Sequence, residues 1–217
     1  MPVRYLTAGT VLEAESESEG QIIVDGPNCR VRIGRNAKIT ADIILQGDVS
    51  NANIEIGDGC VLAGVIRLVR GEGGLVRIGA GTSFNHVAVT QHEAGSVIIG
   101  ADCMFSTEIH MDTSDMHPIY DRATGDRINP PQGIRIGDHV WIAKRVLILK
   151  GADIGDGAVV GAGSMVAGRL PAHALALGSP AKVVRENVVW ARDMDETPKI
   201  APCSGAAKPA KPRWFPR

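Results

Sequence analysis

The stretch IGDHVWIAKRVLILKGADIGDGAVVGAGSMV, residues 136–166, carries an aliphatic side chain at every sixth position: Ile136, Ile142, Ile148, Ile154, Val160 and Val166. Neither a helical period of 3.6 nor the alternation of a flat strand produces such a run. The next residue is small at Gly137, Ala143, Gly155, Gly161 and Ala167, with Leu149 the exception, and four positions after the aliphatic comes Val140, Val146, Ala152, Ala158 or Ser164. A chain that turns every six residues and closes three sides per coil accounts for both features. Each side then sends an aliphatic side chain into a triangular prism, where it stacks on its counterpart one coil away, and no coil buries a core alone. Small residues let the corners turn tightly, and glycine also tolerates a positive φ there.

Upstream, the same hexad returns as Ile33-Gly34, Ile56-Gly57, Ile78-Gly79 and Ile99-Gly100, at intervals of 23, 22 and 21 residues, an 18-residue coil plus a short insertion each time. Four residues after each Ile stand Ala37, Cys60, Thr82 and Cys103. Packing therefore explains two of the four cysteines, and the spacing of Cys29, Cys60, Cys103 and Cys203 matches neither a zinc site nor a redox motif. Reduced structural thiols are expected. Only 4% of residues are aromatic against 26 glycines, which suits a prism interior too narrow for rings.

The interval from Ile99 to Ile136 is 37 residues, and the segment 106–133 holds charges, Pro118, Pro130 and Pro131 but no hexad. A long excursion from a rigid scaffold is where binding and catalytic groups commonly stand. The expected organisation is an all-β parallel β-helix over residues 1–186, with this extended loop at about 106–133. Beyond it, residues 187–217 are expected to form a short helix, within Arg185 to Met194, and a flexible tail rich in Pro, Ala and basic residues.

The formal net charge of −1 and pI near 6.6 provide no field to gather nucleic acid or an anionic membrane. No stretch approaches 18 apolar residues, and the opening MPVRYLTAGTVLEAESESEG lacks the charged and apolar regions of a secretory signal. A cytoplasmic protein with no nucleic-acid partner and no membrane insertion is expected.

Five motifs carry a family resemblance: SDMHPIYD (114–121), TGDRINPP (124–131), IRIGDHVWIAKRV (134–146), IGDGAVVGAGSMV (154–166) and LGSPAKVVRE (177–186). In order and spacing they resemble the hexapeptide-repeat acyltransferases, specifically sugar O-acetyltransferases such as the galactoside and maltose acetyltransferases. The first two motifs are most similar to those of enzymes that acetylate capsular polysaccharides and lipopolysaccharides. The resemblance implies a left-handed prism, a homotrimer with active sites between neighbouring subunits, acetyl-CoA as cosubstrate along the C-terminal coils, a sugar or glycan acceptor, and no metal. By position His117 corresponds to the general base, 24 residues before Trp141. Asn85 and Glu93 match the acceptor-binding asparagine and the acid about eight residues after it.

An alcohol is a poor nucleophile at neutral pH, so a base must take its proton as it attacks the thioester, and histidine suits that task. His110 is the rival base in the same loop, without the His-Pro-Ile context. Asp112, Asp115 or a loop carbonyl is available to orient the imidazole. Trp141 is too large for the prism and is expected in the cleft, against the acceptor or the pantetheine arm. Gly161 and Ala162 allow close approach of that arm, and Ala143 fills the family's small position beside it. Lys144 departs from the small polar residue usual there. Lys182 and Arg185 are candidates for the CoA phosphates and Pro180 for the adenine. Gly168 stands where a lysine is common. Competing readings are N-acetylation of an amino sugar, a non-catalytic scaffold, and the γ-type carbonic anhydrase, whose His-x4-His pattern is missing: His86 and His92 are six apart, His110 and His117 seven.

Overall fold

Strand side chains at i and i+2 share a face, and the sides of the central coils use that spacing to bury a pair. On the first side the pairs are Val31/Ile33, Ile54/Ile56, Val76/Ile78, Val97/Ile99, Ile134/Ile136 and Ala152/Ile154, every one buried. Both the aliphatic hexad position and the compact position two residues before it thus point inward. A computed structural model describes residues 9–198 and the backbone of strand Val3–Leu6, and every regular element among them is a β-strand. Eight strands, from Val11–Ala14 to Arg169–Leu170, make the first face, all paired in parallel. The other two faces belong to one 13-stranded sheet, because long strands such as Val61–Glu72, Ser83–Gln91 and Met104–Asp112 bend around the corner between them. The whole is a left-handed parallel β-helix of about 7 turns.

Register follows the repeat. Ile33 pairs with Ile56, Ile56 with Ile78, Ile78 with Ile99, Ile99 with Ile136 and Ile136 with Ile154, so identical hexad positions form an inner column. Each such side chain contributes about 1.5–3 kcal/mol of burial. The glycine after the aliphatic residue has a different cause from the expected one. Gly57 is not in the left-handed region, yet a Cβ there would stand 2.6 Å from the backbone nitrogen of Ala80 in the next coil. Close coil-to-coil approach, not corner geometry, requires glycine here. The left-handed corner lies two residues later, at Asn36, Gly59, Gly81, Asp102, His139, Gly157 and His173, with φ between 52° and 70°. Where that position on the corner leaving the first face is not glycine it is Asn, Asp or His, the side chains most often found in this conformation, whereas the next corner also holds Glu108 and Arg145 at φ 60° and 61°.

Three other expectations are corrected. The prism does admit rings: Phe84 and Phe105 are buried on the second face, edge to face with centroids 4.8 Å apart. They fit because the residues two before them, Thr82 and Cys103, are small. The excursion begins at Thr113, since strand Met104–Asp112 stays on the prism. No helix forms over 185–194; Lys182–Arg185 is a strand antiparallel to Leu175–Leu177, and the chain then doubles back across the left-handed corner. Val188 N donates to His173 O (2.8 Å), and Trp190 stacks on His139 at 4.1 Å while its Nε1 donates to His139 O (2.8 Å). Arg192 reaches Asp102 Oδ1 (2.9 Å) and Ser83 Oγ (2.9 Å). The tail from 199 onward lies outside the described residues. No helix among those described is long and apolar enough to cross a membrane.

Candidate active site

Coils longer than 18 residues need somewhere to put the excess, and all of them put it at one corner, between the third face and the first. The extra residues fall between Leu45 and Ile54, Leu68 and Val76, Gln91 and Val97, and finally between Met111 and Ile134, where they become the excursion. Glu93 sits in the insertion directly before the excursion in this stack. Its carboxylate is taken by the Arg127 guanidinium in two parallel bonds (both 2.7 Å) and by the Ser114 hydroxyl. Arg127 above all, then Ser114, holds the Glu93 carboxyl down at about 2. From the following coil, Lys150 Nζ donates to the Asp115 carboxylate and to Asn129 O (3.2 Å). Lys150 and then Asn129 keep the Asp115 carboxyl below its usual range. The loop is clamped from the coil on either side of it.

Within that clamp the buried Asn129 bridges the two strands of the loop: Nδ2 donates to Asp115 Oδ2 and His117 O (both 2.9 Å), and Oδ1 accepts from Ile119 N (2.6 Å). His117 N donates to Asp115 O (2.7 Å), and Met116 before it has a φ of 66°. His117 itself is exposed, and its imidazole has no hydrogen-bond or ion-pair partner among the described residues. Asp115 is engaged elsewhere, and Asp112, its carboxyl pushed up by burial, lies on the third face near His92, His110 and Arg67. His110 is exposed on that face, opposite Ala88 and Leu147. Exposed apolar side chains surround the loop tip: Met116, Ile119, Tyr120 and Ile128.

A separate cleft of about 470 Å³ opens on the second face, lined by Asn85, Ser83, Ser106, Met104 and Trp141. Register makes it a track. Ser83, Met104, Trp141, Val159 and Leu175 form one outward row. Asn85 and Ser106 start the neighbouring row, which continues through Ala143 and Gly161, Ala143 N donating to Val160 O and Gly161 N to Ala176 O (both 2.9 Å). Trp141 is 36% exposed and leans on Trp190, ring centroids 6.2 Å apart. The residues assigned to CoA by sequence gather at the edge of this face in the last coils: Ala143 and Lys144, then Gly161 and Ala162, then Pro180. Lys144 Nζ is 3.0 Å from Glu108, which also holds Arg145. Lys182 and Arg185, on the closing strand opposite Leu177 and Leu175, are exposed and form no ion pair among the described residues. Asn85 and Trp141 thus meet, whereas Glu93 and His117 stand at the other edge of the third face. Sequence reasoning missed Arg127, Asn129, Lys150 and Trp190; the first two lie in the quoted motif TGDRINPP, and the others carry no local signal.

Comparisons agree with this architecture. The family model described as bacterial transferase hexapeptide (six repeats) matches residues 133–168. The polysialic acid O-acetyltransferase of Neisseria meningitidis is 37% identical over 176 residues, 80% of each chain. The polysialic acid O-acetyltransferase of Escherichia coli O1:K1 is 33% identical over 162 residues, 75% of this chain and 45% of that longer one. Among solved structures, the polysialic acid O-acetyltransferase OatWY superposes with a TM-score of 0.81 at 32% identity, covering 88% of this chain and 92% of its own. With fold, hexad register and relatives in agreement over most of its length, the chain belongs to the hexapeptide-repeat acyltransferases and is itself an acyltransferase.

Proposed function

We propose that this protein is an acetyl-CoA-dependent O-acetyltransferase that modifies a hydroxyl of a polysaccharide, with His117 as general base and with active sites completed between the subunits of a homotrimer. The observation that carries the reading is the exposed, unpartnered imidazole of His117 on a loop where the neighbouring Ser114, Asp115, Arg127 and Asn129 side chains are all engaged. Its base would take the acceptor's hydroxyl proton as that oxygen bonds to the thioester carbonyl. Collapse of the tetrahedral intermediate breaks the C–S bond, and the imidazolium returns its proton to the departing CoA thiolate. The track from Asn85 past Trp141 to Lys182 and Arg185 supports an acceptor at one end and acetyl-CoA along the rest, with Gly161 admitting the pantetheine arm and the two cations near the phosphates. Assembly is supported by the separation of His117 from that track, and by Leu147, 42% exposed, on a third face whose neighbours in register are Met165 and His110.

Polysialic acid is the first acceptor to try, because two relatives are named for it. Thiol release from acetyl-CoA across a glycan panel tests the reading: acceptor-dependent release is expected, falling to about a hundredth in His117→Ala. No acceptor-dependent release from the native protein, with no binding of acetyl-CoA, would leave a non-catalytic scaffold.

A further inference from the structure

The turn that presents His117 is conformationally costly. Met116 is a non-glycine residue at φ 66°, a state that costs about 1–3 kcal/mol and persists where surroundings over-determine it. On the N-terminal side the turn is held by Ser114 Oγ, which accepts from Met116 N (3.1 Å) and donates to Glu93. On the C-terminal side one side chain does the holding. Asn129, 7% exposed, donates to the carbonyl of His117 and accepts from the amide of Ile119, so it spans the backbone on both sides of Pro118. Its second Nδ2 bond, to Asp115, closes the ring from the other side of the turn. The amide has one orientation here, since Asp115 Oδ2 and His117 O both require a donor and Ile119 N requires an acceptor. Asn129 is seated in turn by Lys150 and Arg127, both of which donate to its own carbonyl oxygen (3.2 and 3.3 Å).

We propose that Asn129 is the positioning residue of His117: it touches neither acceptor nor acetyl-CoA, and acts only by fixing the backbone from which the imidazole projects. This inference rests on the reading of His117 as the base. Asparagine is required because an aspartate of the same shape keeps the bond from Ile119 N but sets an anion against Asp115 and the His117 carbonyl.

The test is a double-mutant cycle on thiol release from acetyl-CoA, with polysialic acid or the best acceptor of the panel, in the full chain. Asn129→Asp is expected to lower kcat by about ten- to a hundredfold, the loss that a small misplacement of a reacting group brings, with KM for acetyl-CoA within about twofold. In a His117→Ala background the same substitution should have no further effect, because a residue that acts only through another adds nothing once that one is gone. Asn129→Ser, which buries no charge, is the second variant should Asn129→Asp melt or lose its oligomeric state. Native kcat in both variants, or a loss that multiplies with that of His117→Ala, would overturn the proposal. Full activity of His117→Ala itself would instead sink the assignment of the base, and the positioning role with it.

Discussion

Phe105 shows how a single core position departs from an average. A low aromatic content suggested a prism too narrow for rings, but the interior volume at any level is shared by three sides, and composition does not reveal which levels carry small partners. Phe84 and Phe105 lie on adjacent coils, each two residues after a compact side chain, and they contact each other as well as the column. Phe105 also underlies the cleft beside Trp141. Phe105→Ala should therefore destabilise the fold by about 3–5 kcal/mol, removing the ring's transfer energy and leaving a cavity that a rigid stack cannot close. Denaturant unfolding at fixed protein concentration measures this, and a loss near 1 kcal/mol would mean the stack relaxes far more than close packing implies. Glu93 illustrates the opposite lesson. Its motif suggested contact with the acceptor, whereas its carboxylate is occupied by Arg127, 34 residues away, and nothing near Glu93 in the chain announces that pairing.

At the scale of the element, strands were legible and the segments that lie against them were not. A hexad is a local signal repeated many times, so the sides of the prism could be read from spacing alone. The loop and the C-terminal segment have conformations set by contacts with distant coils: Lys150 and Glu93 for one, His139, Asp102 and Ser83 for the other. The expected helix at 185–194 gives way because Trp190 finds a ring and a carbonyl of His139 to meet, and that contact lies 51 residues back in the chain. Loop anchoring should be pH-dependent, in a direction the ion pair determines. Glu93 titrates at about 2 in the folded protein against an ordinary 4.5, so its charge stabilises the anchored loop fully above pH 4.5 and that contribution fades as pH falls from there towards 2. Hydrogen exchange of the Ser114–Ile119 amides should accelerate across that window, relative to a first-face strand such as Leu75–Ile78. In Glu93→Gln the loop amides should exchange faster already at pH 7, with the window largely abolished. An unchanged profile in the variant would mean that Lys150 and Asn129 hold the loop alone.

For the whole molecule, intervals of 23, 22 and 21 residues told how much extra chain each coil carries but not where it goes. That every insertion leaves from the same corner follows from stacking, since an insertion on a face would break the parallel ladder and its hydrogen bonds, whereas an existing bend can be enlarged without disturbing either neighbour. Gathering the loops at one corner also determines where His117 can be. It stands at one edge of the third face, the Asn85–Trp141 track stands beyond the other, and a rigid prism does not let them approach within a chain. In the proposed homotrimer each copy would present its loop edge to the next copy's track, bringing the two together with one interface repeated by symmetry. Subunit mixing decides this. Chains carrying His117→Ala and chains carrying Asn85→Ala with Trp141→Ala are each expected to be nearly inactive alone. Co-expressed in equal amounts and purified by a tag on each, mixed trimers should recover about a third of native sites, because in any ring that holds both chains one junction of the three joins an intact loop to an intact track. Mixed oligomers no more active than their parents would mean that each chain completes its own site, and the third face would then have to deform enough for His117 to reach Trp141.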